Sequence, residues 1–147
     1  EGEAGMSGEA RLWQRMRAGV VDQCWVQRVE NMVGAGCPDV ILHQKADGRC
    51  AFVELKCRLL APVRGSTPVF NGSYGLRPAQ VAWIYSRASA GAAIFVLGQC
   101  GDVLWLAHGR CARELASWTT ADLNIQCHWH GSARRTDWEG MLRGIFR

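Results

Sequence analysis

From Gly8 to about Asp22 the apolar residues recur at helical spacing: Leu12, Trp13, Met16 and Val20 form one stripe, with Arg11, Arg15 and Arg17 largely off it, which predicts an amphipathic helix. The period changes at Cys24, where Val26, Val29 and Met32 stand among polar residues and predict a first strand through Met32. Val40–Leu42 and Ala51–Leu55 are apolar runs on either side of an Asp47-Gly48 pair, the signature of a hairpin, and predict two adjacent antiparallel strands. Arg58–Gly75 has no clear period and carries Pro62, Pro68 and Asn71-Gly72, so it reads as a long working loop. Pro78 opens a helix that runs to about Ala90, with Val81, Ile84, Tyr85 and Ala88 on its apolar face and Arg77, Gln80 and Arg87 on another. Ala92–Leu97 and Val103–Ala107 predict a second hairpin, followed by a short helix over Arg110–Ser117 and an edge strand over Asn124–His130. In the tail, Trp138, Met141, Leu142 and Ile145 predict a last helix that either caps the core or packs against a second subunit. The combination predicts an α/β domain over residues 8–147, with a central mixed sheet flanked by helices and an unstructured terminus over 1–7.

Composition narrows the class. A chain of 147 residues, 48% hydrophobic, is long enough for one well-buried domain and short for two. No apolar run approaches the ~20 residues of a membrane span, and the chain opens without a charged-then-apolar leader, so a cytoplasmic protein is expected. Seven cysteines, an odd number without Cys-x-x-Cys spacing, argue against a disulfide framework and a zinc ribbon. Net charge is +4, and fifteen of the seventeen basic residues are arginine, a balance that suits a polyanionic partner. Only Lys45 and Lys56 are lysines, which makes a lysine inside an apolar strand conspicuous.

That strand holds the candidate chemistry. Glu54 and Lys56 are two apart, so they share one face of the strand at ~6–7 Å from each other. Buried unpaired charge costs several kcal/mol. An ion pair at the sheet edge is the plain reading of Glu-x-Lys. Asp39 favours another: across the hairpin its carboxylate can approach Glu54, and two carboxylates held close repel unless a cation lies between them. Hard oxygen ligands of this kind suit Mg²⁺ or Mn²⁺. Glu9, one turn before Leu12 and Trp13, reads as a first-turn acid that favours its helix dipole. Cys127-His128-Trp129-His130 is read as structural rather than as a zinc site, because two histidines at strand spacing lack a second ligand pair.

Gly36-Cys37-Pro38-Asp39 followed by Glu54-Leu55-Lys56 resembles the motif of the PD-(D/E)XK nuclease superfamily, in particular its junction-resolving and phage-encoded endonucleases; the resemblance covers about Glu9 to Leu97. It implies a restriction-endonuclease-like core and a Mg²⁺-dependent endodeoxyribonuclease, with Mn²⁺ able to substitute. It further implies that Asp39, Glu54, the carbonyl of Leu55 and an acid from the first helix, Glu9, bind the metal. Glu30, at the end of the first strand, is the rival acid, or else half of a cross-strand pair with Arg28. Lys56 would assist the attacking water or stabilise charge on the phosphate. Gln80, on the helix after the Glu-x-Lys strand, would touch the scissile phosphate or orient Lys56. Arg58, Arg64, Tyr74, Arg77 and Arg87 would contact DNA, with Phe70 and Tyr74 available for stacking. The expected function is structure-specific cleavage of branched DNA by a homodimer; the alternatives are a phage or mobile-element nuclease acting on single strands or flaps, and a non-catalytic DNA-binding or zinc-binding module.

Overall fold

The computed structural model of the protein describes residues 6–29 and 36–147. Among these described residues there are four α-helices, α1 (Gly8–Val20), α2 (Pro78–Ser89), α3 (Thr120–Gln126) and α4 (Trp138–Ile145). Six strands form one sheet: β1 (Cys24–Arg28), β2 (Val40–Gln44), β3 (Cys50–Arg58), β4 (Ile94–Cys100), β5 (Val103–His108) and β6 (Trp129–Ser132). They lie in sequence order, and every neighbouring pair is antiparallel except β3 and β4, which are parallel and joined through the long loop and α2. The fold is therefore α/β with a mixed sheet, as the period changes along the chain predict.

Helices cover both faces because the strands alternate. Val53 and Leu55 of β3 point to one side, where Leu12, Met16 and Val20 of α1 and Met141 and Ile145 of α4 bury against them together with Leu42, Leu97, Leu104 and Leu106. α4 thus caps this core. On the other face Ile84 and Ala88 of α2 and Leu123 of α3 pack with Val96, Trp105 and Ala107. Glu54 and Lys56 belong to this second face, so two charges of β3 rise towards α2.

Several elements differ from expectation. Arg110–Ser117 is not one helix but two single helical turns, Gly109–Cys111 and Leu115–Ser117. Asn124–His130 is split between the end of α3 and the start of β6; α3 exists because Thr119 and Asp122 cap its first turn reciprocally, each side chain bonding the other's backbone N–H. His128 lies outside the strand and packs beside Phe95 and His108, whereas His130 stands opposite Trp105. The hairpin turn after β2 spans 45–49 rather than two residues, closed by Gln44 N–H to Arg49 C=O at 2.8 Å and by Asp47 accepting from Arg49 N–H at 3.0 Å. Phe70 is not a free stacking platform. Its ring lies over Gly98, where a Cβ would meet it at 2.6 Å, and meets Trp105 edge-on at 6.1 Å, so the loop is pinned into the second core. β1 is described through Arg28, and the expected continuation to Met32, with Glu30, lies outside the described residues apart from Val29. All seven cysteines are free thiols, and no described helix is long and apolar enough to cross a membrane.

Candidate active site

The pairing of β2 with β3 explains why chemistry gathers at one point. Val40 pairs with Val53, and β2 begins there, so from Glu54 onward β3 has no partner strand on that side. Extending the register by one residue sets Asp39 opposite Glu54. Instead of a ladder bond, Leu55 N–H donates to Asp39 Oδ2 at 3.5 Å. In a strand the C=O of a residue points to the same side as its N–H, so the Leu55 carbonyl looks towards Asp39 as well. Gly36 anchors the entry to this segment: at φ 97°, with Ala79 C=O at 2.3 Å from where a Cβ would stand, the position admits only glycine, and the chain before Asp39 lies tight on the start of α2.

Helix α2 meets β3 residue by residue. Trp83 packs edge-on against Phe52 at 5.7 Å, and one turn earlier Gln80 Nε2 donates to Glu54 Oε1 at 2.7 Å. Three-residue steps on the helix thus match two-residue steps on the strand. The other end of the Gln80 amide accepts from Arg77 N–H at 2.9 Å, which fixes the amide and closes the first turn of α2. Gln80 is therefore bonded to Glu54, a partner that the two roles expected for it, touching the scissile phosphate or orienting Lys56, did not include.

Glu54, Lys56 and Gln80 are 1%, 8% and 3% exposed, the buried polar side chains among the described residues. Lys56 Nζ lies 3.7 Å from Glu54 Oε1. Glu54 Oε2 is buried and has no hydrogen-bond partner. Asp39 is within hydrogen-bonding reach of Glu54, but two carboxylates can bond only by sharing a proton. Burial first, and then the charge of Asp39, push the Glu54 carboxyl up to about 8, against the opposing pull of Lys56. Burial also raises Glu9, with Lys56 opposing and Asp39 reinforcing, so the first-helix acid feels the same field.

These groups line a polar cleft of about 360 Å³ bounded by Glu9, Asp39, Glu54, Lys56, Arg77 and Gln80 and by Gly72, Ser73 and Gly75 of the loop after β3. Glu9 is at the mouth. Among the described residues no three His, Cys, Asp or Glu side chains converge into a ready-made metal cage. The carboxylates that line the cleft are the Asp39–Glu54 pair and Glu9. An oxygen-rich pair with a buried orphan oxygen fits a hard divalent cation.

The residues expected to contact DNA are dispersed. Arg77 lines the cleft. Arg58 is held within its own loop, donating to Leu60 C=O at 2.9 Å and Val69 C=O at 3.1 Å, with its guanidinium 4.5 Å over the Tyr74 ring. Arg64 is exposed on the loop. Arg87, about two turns along α2, stacks on Trp83 at 4.0 Å and does not line the cleft. Ser73 is a cleft residue that the sequence reading missed, since a serine in an aperiodic loop carries no signal. No Asp or Glu occurs between Glu54 and Asp102, whereas that span holds Lys56, Arg58, Arg64, Arg77 and Arg87.

No family model and no curated protein matches the chain. Among solved structures the fold is similar to that of Archaeoglobus fulgidus Hjc, a Holliday junction resolvase from an archaeal hyperthermophile, with a TM-score of 0.54 and 13% identity over 78% of this chain and 91% of the other.

Proposed function

We propose that the cleft is the active site of a divalent-cation-dependent endonuclease that hydrolyses phosphodiester bonds in branched DNA. The observation that carries this reading is the pair Asp39 and Glu54, held face to face with one buried oxygen unpartnered and Lys56 beside it. Asp39, Glu54 and the Leu55 carbonyl would hold Mg²⁺ or Mn²⁺, with Glu9 contributing from the mouth. When bound, the cation supplies Lewis acidity and neutralises charge on the phosphate. Gln80 fixes the rotamer of Glu54, so the acidic pair is preorganised. Lys56, drawn towards Glu54, sets a positive charge where a phosphate in the cleft builds negative charge. Arg77 at the rim orients the incoming backbone without reading bases. Glu54 must lose its proton before it can ligate, so metal affinity rises with pH up to about 8.

Branched DNA is supported by the likeness in fold to a Holliday junction resolvase and by the acid-free, arginine-bearing span that follows Glu54. A homodimer would pair two cuts across a junction. The test is a panel of linear duplex, single-stranded, flap and four-way junction DNA of unrelated sequences with Mg²⁺. The expected result is preferential cutting of the junction whatever its base sequence. Selectivity that follows base sequence, or the absence of cleavage on every substrate, would overturn the reading; preference for flaps or single strands would reassign the substrate.

A further inference from the structure

The loop that leaves β3 carries an exposed apolar tip. Leu59, Leu60 and Val63 are 70%, 78% and 104% exposed, with Ala61 and Pro62 between them. Such a cluster is unfavourable in water unless something covers it. Its backbone is nevertheless held: Arg58 bonds the carbonyls of Leu60 and Val69 and stacks on Tyr74, so the root of the loop is stapled across its own span. Leu59, Leu60, Val63 and Tyr74 wall a depression of about 490 Å³. Tyr74 ends the turn whose other residues, Gly72 and Ser73, line the catalytic cleft, so the two depressions adjoin.

Charge identifies the occupant. The tip lies between Arg58 and Arg64 in the span without a single acid. A second copy docked there would bring like charges together, which is costly. A ligand with an anionic backbone and apolar faces suits both features. We infer that the Leu59–Val63 loop is an apolar wedge that inserts against unstacked nucleobases at a branch point, with the exposed Arg64 on the adjoining phosphate, and that it is the element selecting branched over linear DNA. Apolar side chains that enter base steps act in this way in other DNA complexes, and strand discontinuities present bases already unstacked. This inference rests on the nuclease reading above and adds the element that reads shape.

The test replaces both exposed tips, Leu60→Ser with Val63→Ser, and measures binding in Ca²⁺, in place of Mg²⁺, to a linear duplex and to a four-way junction with 2-aminopurine at the branch point. The wild type is expected to raise 2-aminopurine fluorescence at the junction as the base leaves its stack. The double variant should lose that rise and bind the junction about tenfold or more weakly, the effect of one stacking contact, while its affinity for linear duplex stays within about twofold. An unchanged fluorescence rise and junction preference in the variant would overturn the wedge while leaving the nuclease reading intact. Equal loss on linear and branched DNA would overturn it too, as would a wild-type dimer that the double change converts to monomer in sedimentation, since the tip would then be an interface between copies. A wild type that neither binds nor cuts any DNA would instead overturn the nuclease reading itself.

Discussion

Glu54→Gln is expected to lower DNA cleavage by at least ~10²-fold and, at the same time, to stabilise the protein in the absence of metal at pH 8. The two effects have one cause. Gln keeps the shape and can still accept from Gln80 Nε2, but it removes a charge buried against Asp39. Because the Glu54 carboxyl is raised from 4.5 to about 8, the folded protein holds a proton that the unfolded chain has released. Stability contributed by the protonated form is complete below about 4.5 and is lost as pH rises towards 8. The wild type without metal should therefore lose stability across that window, regain it on addition of Mg²⁺, and show both responses weakly or not at all as Glu54→Gln. The gain at pH 8 should be on the order of 1–3 kcal/mol, at roughly 2–4 °C in Tm for each kcal/mol in a chain of this size. Thermal melts at pH 5 and pH 8, with Mg²⁺ and with EDTA, measure it. A variant that is both inactive and less stable at pH 8 would show Glu54 to be a structural ion-pair partner of Lys56.

Lys56→Met is expected to cost ~10²–10³-fold in single-turnover cleavage while leaving metal binding in place. The Met side chain retains the apolar stem that crosses the sheet surface beside Gly98 and removes only the ammonium that faces Glu54. Without that ammonium the Glu54–Asp39 pair loses a neighbour that favours its charged form, so the pH needed for metal binding should shift upward. Mn²⁺ titrations at several pH values separate the two roles. Loss of both cleavage and metal affinity at all pH values would mean that Lys56 shapes the carboxylate site rather than acting on the phosphate.

The core of the site was legible because it breaks a pattern. Asp39, Glu54 and Lys56 interrupt strands that are otherwise apolar, but a two-residue turn at Asp47-Gly48 would set Asp39 opposite Lys56, and it is the wider turn over 45–49 that sets it opposite Glu54. The partner of Gln80 was not legible. Whether an amide on a helix face meets the glutamate or the lysine depends on the helix being one turn in register with Phe52 and Glu54, and no local signal encodes that register. Aperiodic segments were read least well. Phe70 and Tyr74 look alike in a loop sequence, yet Gly98 opens a seat for Phe70 while Tyr74 becomes a platform for Arg58. Near the end of the chain, alternation over Asn124–His130 suggested a strand, but the reciprocal cap at Thr119 and Asp122 commits the first residues to α3 and delays β6 to Trp129. The choice between Glu9 and Glu30 was open in the sequence; the structure brings Glu9 to the cleft, and Glu30 lies outside the described residues.

The most direct test of the account is cleavage of a four-way junction by the wild type in Mg²⁺, after chelation with EDTA, and after Mg²⁺ is restored, with Asp39→Asn in parallel. Cleavage should appear with Mg²⁺, stop with EDTA, return on re-addition, and be absent throughout in the Asp39→Asn protein although that protein still binds the junction. Cleavage that persists in EDTA, or that survives Asp39→Asn at the wild-type rate, would contradict the assignment of the Asp39–Glu54 cleft as a divalent-cation nuclease site.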